Sequence, residues 1–262
     1  MLDDRRRLEA AELLRSAEHS RTPVAPLAGS DAFAGISTED AYEIQLLNIR
    51  QRVAAGARIT GHKVGLSSPV MQQMMGVDEP DYGHLLDGME LSEDEPVPVA
   101  RYCAPRVEAE VGFVLGDDLP GEGCTVADVL AATERVVPAI ELIDSRIADW
   151  RITIADTIAD NASSAGYVTG DGRDPRELDL RGIDATLRCG GEVITRGRSD
   201  AVLGDPAASV AWLARTVARF GVPLRKGHLV LPGSCTRAVD VVAGRTCTAE
   251  FSGLGSVSLS FS

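Results

Sequence analysis

The sequence predicts an α+β fold. Helical patterns crowd its first fifth, short strands of mixed spacing fill the rest, and the two do not alternate as a βαβ series would. With 262 residues, 44% of them apolar, the chain can bury one large core, with room for a small N-terminal appendage. We read a helical segment over 1–57 and a mixed-β core over 58–262, or the two as one continuous domain.

The elements follow in order. Residues 3–19 carry Leu8, Ala11 and Leu14 at helical spacing, an amphipathic helix. Pro23, Pro26 and Gly29 mark 21–36 as a loop. Ser37 with Asp40 is a variant capping box opening a second helix, whose apolar face is Ala41, Ile44 and Leu47 and which ends at Gly56. Residues 59–66 form a strand, and Ser68-Pro69 starts a short helix that Gly76 stops. Val107, Ala109, Val111, Phe113 and Leu115 alternate with Glu108, Glu110 and Gly112, a period-two strand. Thr125 and Asp128 open a helix running to about Arg135, and 136–144 is apolar enough for a buried strand. Gly190-Gly191 folds 187–194 into a hairpin. Asp205-Pro206 caps a helix bearing Val210, Leu213 and Val217 ahead of Gly221. Strands at 229–231, 237–242, 246–251 and 256–261 complete the chain.

Composition excludes several functions. A net charge of −13 would repel a nucleic acid, and no apolar run approaches the ~20 residues of a membrane span. The charged start, Met1 to Arg7, is not a secretory signal. These features predict a soluble cytoplasmic protein. Its five cysteines, scattered and without CxxC spacing, are expected to be reduced thiols. Neither GxGxxG nor a P-loop is present, so nothing points to a nucleotide. An acidic protein that takes an anionic substrate needs a local positive group, a metal ion or a lysine.

Glu108 and Glu110 occupy positions i and i+2 of a strand and share a face, about 7 Å apart along it. On a solvated edge this is unremarkable. In a buried strand the pair requires a proton or a cation. Glu141 lies in the apolar stretch 136–144 and needs a counter-charge in any case. A Mg²⁺ or Mn²⁺ ion on three carboxylates is one solution. Arg106 or Arg146 as a salt-bridge partner is the other. Lys63, among glycines and apolar residues, is either a desolvated lysine of lowered pKa or one whose head reaches solvent. Asp81 follows Pro80 and suits a turn as well as a catalytic role. The small polar run 160–166 suits a pocket-lining loop or a helix cap. His62, His84 and His228 have no metal-ligand spacing, and His19 is placed on a solvated helix face.

Six segments in order, GHKVGL (61–66), PDYGHLLD (80–87), RVEAEVGFVL (106–115), PAIELIDSR (138–146), DTIADNASSAG (156–166) and LPGS (231–234), closely resemble the 2-hydroxypentadienoate (2-keto-4-pentenoate) hydratases. The wider family includes 4-oxalocrotonate decarboxylases and 2-oxohept-3-ene-dioate hydratases. The resemblance runs from about Ala41 to the C-terminus and is nearest to actinobacterial hydratases of steroid and biphenyl meta-cleavage pathways. It implies a fumarylacetoacetase-like fold, a mixed β-roll with flanking helices. It also implies Mg²⁺ or Mn²⁺ on Glu108, Glu110 and Glu141, with Lys63 and Asp81 as acid–base residues and Ser163, or its neighbour Ser164, near substrate. The implied reaction adds water to 2-hydroxypenta-2,4-dienoate or its methyl homologue 2-hydroxyhexa-2,4-dienoate. Asp81 would activate the water, and Lys63 would transfer a proton or bind the carboxylate. Decarboxylation of 4-oxalocrotonate is the alternative. A non-catalytic partner subunit is more remote, because the motif positions are intact. A homo-oligomer is expected, and association with a downstream aldolase is conceivable on the same ground.

Overall fold

A computed structural model describes residues 1–68, 72, 73, 77 and 79–262. The helix expected between Ser68-Pro69 and Gly76 lies outside the described residues. Helix α1 (Asp4–Ser20) starts where the Asp3 side chain accepts the Arg6 N–H. Helix α2 (Thr38–Ala54) starts at the reciprocal Ser37/Asp40 capping box read from the sequence. Its Ala41, Tyr42 and Ile44 join α1's Ala10, Ala11 and Leu14 in one buried cluster with the sheets.

Two sheets make the core. The larger combines β1 (Ile59–Gly65), β2 (Asp81–Leu86), β3 (Arg106–Leu115), β4 (Thr133–Ile143), β5 (Ser164–Thr169), β8 (Leu229–Leu231) and β9 (Val239–Asp240). Its order is β2-β1-β8-β3-β4-β5, with β9 on the start of β3. Only β1 and β8 run parallel among these pairs. The smaller sheet is antiparallel, β11-β10-β6-β7, from β6 (Asp184–Cys189), β7 (Glu192–Arg198), β10 (Thr246–Phe251) and β11 (Gly255–Ser260). It lays Leu187, Ala249 and Leu259 into the same core as Val111 and Phe113. At the β6–β7 turn Gly190 and Gly191 take φ of 62° and 83°, the two positive values a tight twisted hairpin requires. Helices α3 (Val126–Ala132), α4 (Ile154–Ala159) and α5 (Pro206–Ala218) flank the sheets. The α+β mixed-sheet architecture is as expected.

Four expectations need correction. Helix α3 ends at Ala132 rather than near Arg135, because Thr133, Val136 and Val137 pair with β3 from Leu115 inward. The strand expected over 237–242 shortens to Val239–Asp240, since only these residues meet Arg106 and Val107. The segment around Asp81 is a strand, not a turn. The cysteines are not all free thiols: Cys189 and Cys247 face each other in the β6–β10 register and form a disulfide, leaving Cys103, Cys124 and Cys235 free.

Candidate active site

The strand register brings the glutamates together. Glu108 on β3 lies directly opposite Glu141 on β4, where cross-strand side chains are nearest neighbours. Glu110 follows two residues on and projects to the same side. One carboxylate oxygen from each of the three lies within 4.8 Å of the others. Glu110 and Glu141 are fully buried, and Glu108 is half-buried at the cavity wall.

Neither arginine neutralises the trio. Arg106 donates to Asp240 at 2.7 Å, and Arg146 donates to Asp160 at 2.6 Å. The nearest cation is Lys63, whose Nζ stands 3.4 Å from a Glu141 oxygen. Glu110 Oε2 accepts the Gly233 N–H at 2.8 Å, while Glu110 Oε1 and both Glu141 oxygens are buried without a hydrogen-bond partner. Burial and then Glu141 push the Glu110 carboxyl well above the usual carboxylate range. Burial raises Glu141 to about 7, against the pull of Lys63. Orphaned oxygens at the centre of an all-oxygen donor set fit a hard divalent cation, which would supply the missing partners.

Lys63 differs from the desolvated, low-pKa lysine that was one of its two readings. Burial does lower its affinity for a proton, but Glu141 and Asp81 outweigh it, so the protein groups alone hold Lys63 protonated. Its Nζ donates to the Ala162 carbonyl at 2.9 Å. Asp81 sits opposite Gly65 at the start of β2, buried. One of its oxygens accepts the Thr157 hydroxyl at 2.6 Å, and the other has no partner. Ser163 Oγ is buried and unpartnered as well. Lys63, Asp81, Glu108 and Ser163 line one cavity of about 130 Å³, walled by Leu66, Ile143, Trp150 and Ile152. Ser164 lines a smaller cavity beside Asp160 and Arg146, and its side chain also lies close enough to Glu141 to hold that carboxyl down, whereas Ser163 lines the larger cavity.

The structure therefore gathers all six expected residues at one place. It adds three that sequence reasoning missed. Thr157 is delivered by α4, whose Thr153/Asp156 capping box was a legible but unread signal. Gly233, in the quoted LPGS segment, offers a backbone N–H and left no side-chain signature. Asn161 begins a turn in which Asn161, Ala162 and Ser163 all have left-handed φ, 54°, 49° and 56°. That conformation costs about 1–2 kcal/mol per non-glycine residue. The histidines do meet in space, with His62 ring centroids 4.8 Å from His84 and 5.5 Å from His228. Burial drives His84 down to about 4, which makes it a neutral core group.

Residues 87–261 match the fumarylacetoacetate (FAA) hydrolase C-terminal family. Over 256 residues, 97% of this chain and 94% of the relative, the sequence is 46% identical to a 2-keto-4-pentenoate hydratase of Paraburkholderia xenovorans. It is 43% identical over 253 residues, 95% of this chain and 94% of the relative, to a 2-hydroxyhexa-2,4-dienoate hydratase of Comamonas testosteroni. Among solved structures, 4-oxalocrotonate decarboxylase from Pseudomonas putida G7, complexed with magnesium and adipate, superposes with a TM-score of 0.94. That pair shares 36% identity and covers 100% of this chain and 99% of the other. Similarity of this extent, running through every segment that builds the cavity, makes the chain a member of the 2-keto-4-pentenoate hydratase family on the FAA hydrolase C-terminal fold.

Proposed function

We propose that the protein is a divalent-metal-dependent hydratase converting 2-hydroxypenta-2,4-dienoate, or its methyl homologue, to the 4-hydroxy-2-oxo acid. The convergence of Glu108, Glu110 and Glu141 on one point beside a protonated lysine carries this reading. A Mg²⁺ or Mn²⁺ ion held by the three glutamates would supply Lewis acidity toward the substrate's carboxylate and 2-oxygen and offset the carboxylates' charge.

The chain's own groups divide the remaining work. Lys63 holds a proton at Nζ within the cavity and attracts the anionic end of the substrate. Ketonisation moves the 2-hydroxyl proton away and places a proton on C5, and Lys63 serves as its relay. Water then adds across C3–C4, its oxygen to C4 and a proton to C3. Asp81 has one oxygen fixed by Thr157 and the other free, so it orients that water and accepts its proton. The Ser163 hydroxyl, buried without a partner, offers the substrate a hydrogen bond. Leu66, Ile143, Trp150 and Ile152 keep bulk water from the apolar tail.

Decarboxylation of 4-oxalocrotonate is the second reading, favoured by the 36% identical decarboxylase structure. A dicarboxylate needs a second cation in the cavity. Besides Lys63 the lining offers Arg106, already bonded to Asp240 and stacked 4.5 Å from the Trp150 ring centroid. The monocarboxylate fits better. Parallel assays following loss of the dienol and of 4-oxalocrotonate decide between them, and Glu108→Gln or exhaustive chelation should abolish either activity. Turnover that survives both treatments would refute metal dependence.

The remaining parts of the proposal are a steroid or biphenyl meta-cleavage setting, a homo-oligomeric assembly measurable by sedimentation, and a cytoplasmic location. The Cys189–Cys247 disulfide bears on the last, and its oxidation state in cell extracts tests it.

A further inference from the structure

We propose that Asn161 is a positioning residue of the active site. Its side-chain amide, clamped onto the free edge of β2, holds the left-handed turn that presents the Ala162 carbonyl and the Ser163 hydroxyl to the cavity.

Three successive non-glycine residues with left-handed φ persist only where the surroundings over-determine them. Asparagine tolerates that region by itself, whereas alanine and serine rarely visit it. The surroundings here are specific. Among the described residues β2 ends its sheet, with β1 on one side and no strand on the other. On that open side His84 presents its backbone N–H and C=O. The Asn161 carbonyl Oδ1 accepts the N–H at 2.8 Å, and Nδ2 donates to the C=O at 2.9 Å. The amide thus makes the pair of bonds that a neighbouring strand would make. Gly83 lets the two segments close: a Cβ there would lie 2.4 Å from the Asn161 backbone oxygen. At the far end of the turn the Ser163 carbonyl accepts the Asp144 N–H at 2.7 Å.

Between these anchors lie the groups that meet the reacting region. The Ala162 carbonyl takes the Lys63 ammonium at 2.9 Å, and Ser163 Oγ is buried, unpartnered and part of the cavity wall. Release of the Asn161 clamp lets the turn relax toward right-handed φ and withdraws both groups. Glutamate ligands on β3 and β4 are untouched, so ion binding is unaffected.

The test compares Asn161→Ala, Asn161→Gly and Asn161→Asp. Glycine accepts left-handed φ but has no clamp, and aspartate keeps the acceptor while losing the donor. With Mg²⁺ and 2-hydroxypenta-2,4-dienoate, the alanine and glycine variants should each lose roughly 100-fold in kcat, the scale expected for a misplacement near 1 Å. Aspartate should fall between them and the native protein. KM should rise as the Ser163 hydrogen bond to the substrate is lost, while calorimetric Mn²⁺ affinity should hold. Crystal structures of the alanine variant should show residues 161–163 out of the left-handed region. A glycine variant with native kcat, a loss fully explained by the unfolded fraction, or an alanine variant retaining the turn with Ser163 in place overturns the proposal. The activity readout rests on the hydratase reading. If the native protein turns over no dienoate, that reading falls, and the crystal structures still decide the role of Asn161.

Discussion

Replacing Glu110 with glutamine should stabilise the metal-free protein while abolishing its response to divalent cations. Ionised carboxylates within 4.8 Å of each other repel by about 3.5 kcal/mol per pair at an effective dielectric of 20. The protein evades part of this by protonating Glu110, whose carboxyl lies well above its ordinary range through burial and then Glu141. Holding that proton at pH 7 against an unperturbed pKa of about 4.3 costs at most about 3.7 kcal/mol. Glutamine removes the charge and the titration, keeps the shape, and preserves an acceptor for the Gly233 N–H. The expected gain without metal is about 1–3 kcal/mol, or roughly 2–10 °C in Tm for a chain of this size. The native protein should in turn gain about 2.7 kcal/mol when the free ion reaches a hundred times its Kd. Thermal melts in EDTA and in saturating Mg²⁺ should therefore show the variant ahead in the first and the native protein recovering in the second. A variant that is less stable in EDTA, with an undiminished Mg²⁺ increment, would refute the picture of a trio frustrated until an ion arrives.

Three further outcomes are expected. Gly65→Ala puts a Cβ 2.3 Å from an Asp81 carboxylate oxygen, so kcat should drop roughly 100-fold with ion affinity unchanged, measured by steady-state kinetics and calorimetry. Burial disfavours the charged form of Asp40, but its bonds from Arg7, Leu2 and Ser37 prevail and hold its carboxyl below the ordinary value. The stabilisation from Asp40 is thus complete above about pH 5, and it is lost as pH falls through the folded pKa. Urea titrations should accordingly find Asp40→Asn destabilising at neutral pH and much less so near pH 3. Denatured, unreduced protein should titrate three thiols, and reduction should lower stability by up to about 4 kcal/mol for the 58-residue separation.

Much of the site was legible because its chemistry needs charged residues in places where charge is conspicuous. Glu108 and Glu110 interrupt an otherwise apolar strand, and Glu141 interrupts another. A sequence that accepts that cost twice has a counter-charge to share. Capping signals did equally well, since Ser37/Asp40 and Asp205-Pro206 act within one turn of chain and depend on nothing distant. What failed was the identity of partners. Arg106 and Arg146 were open alternatives as counter-ions for Glu141, yet each is taken by an aspartate, Asp240 or Asp160, whose position only the fold determines. Lys63 was readable as a lysine of lowered pKa on local grounds alone. The carboxylates that keep it charged come from β2, β3 and β4.

β2 shows why the rest was hidden. Strand periodicity exists only where one face is wet, and all six residues of Asp81–Leu86 are buried, covered on the sheet's open edge by Asn161 and Gln45. An aspartate beginning such a strand has no alternation around it to announce a strand, and Pro80 and Gly83 imitate turn residues instead. Gly83 is present because the Asn161 carbonyl needs its space. The left-handed turn is invisible for the complementary reason: nothing in Asn-Ala-Ser predicts three positive φ values, and the bonds that enforce them come from a strand some 77 residues away. Local sequence rules fail together at Asp81, Gly83 and Asn161 to Ser163. Asp81, Ala162 and Ser163 line one cavity, and Gly83 and Asn161 pack behind it, where long-range bonds override local preference.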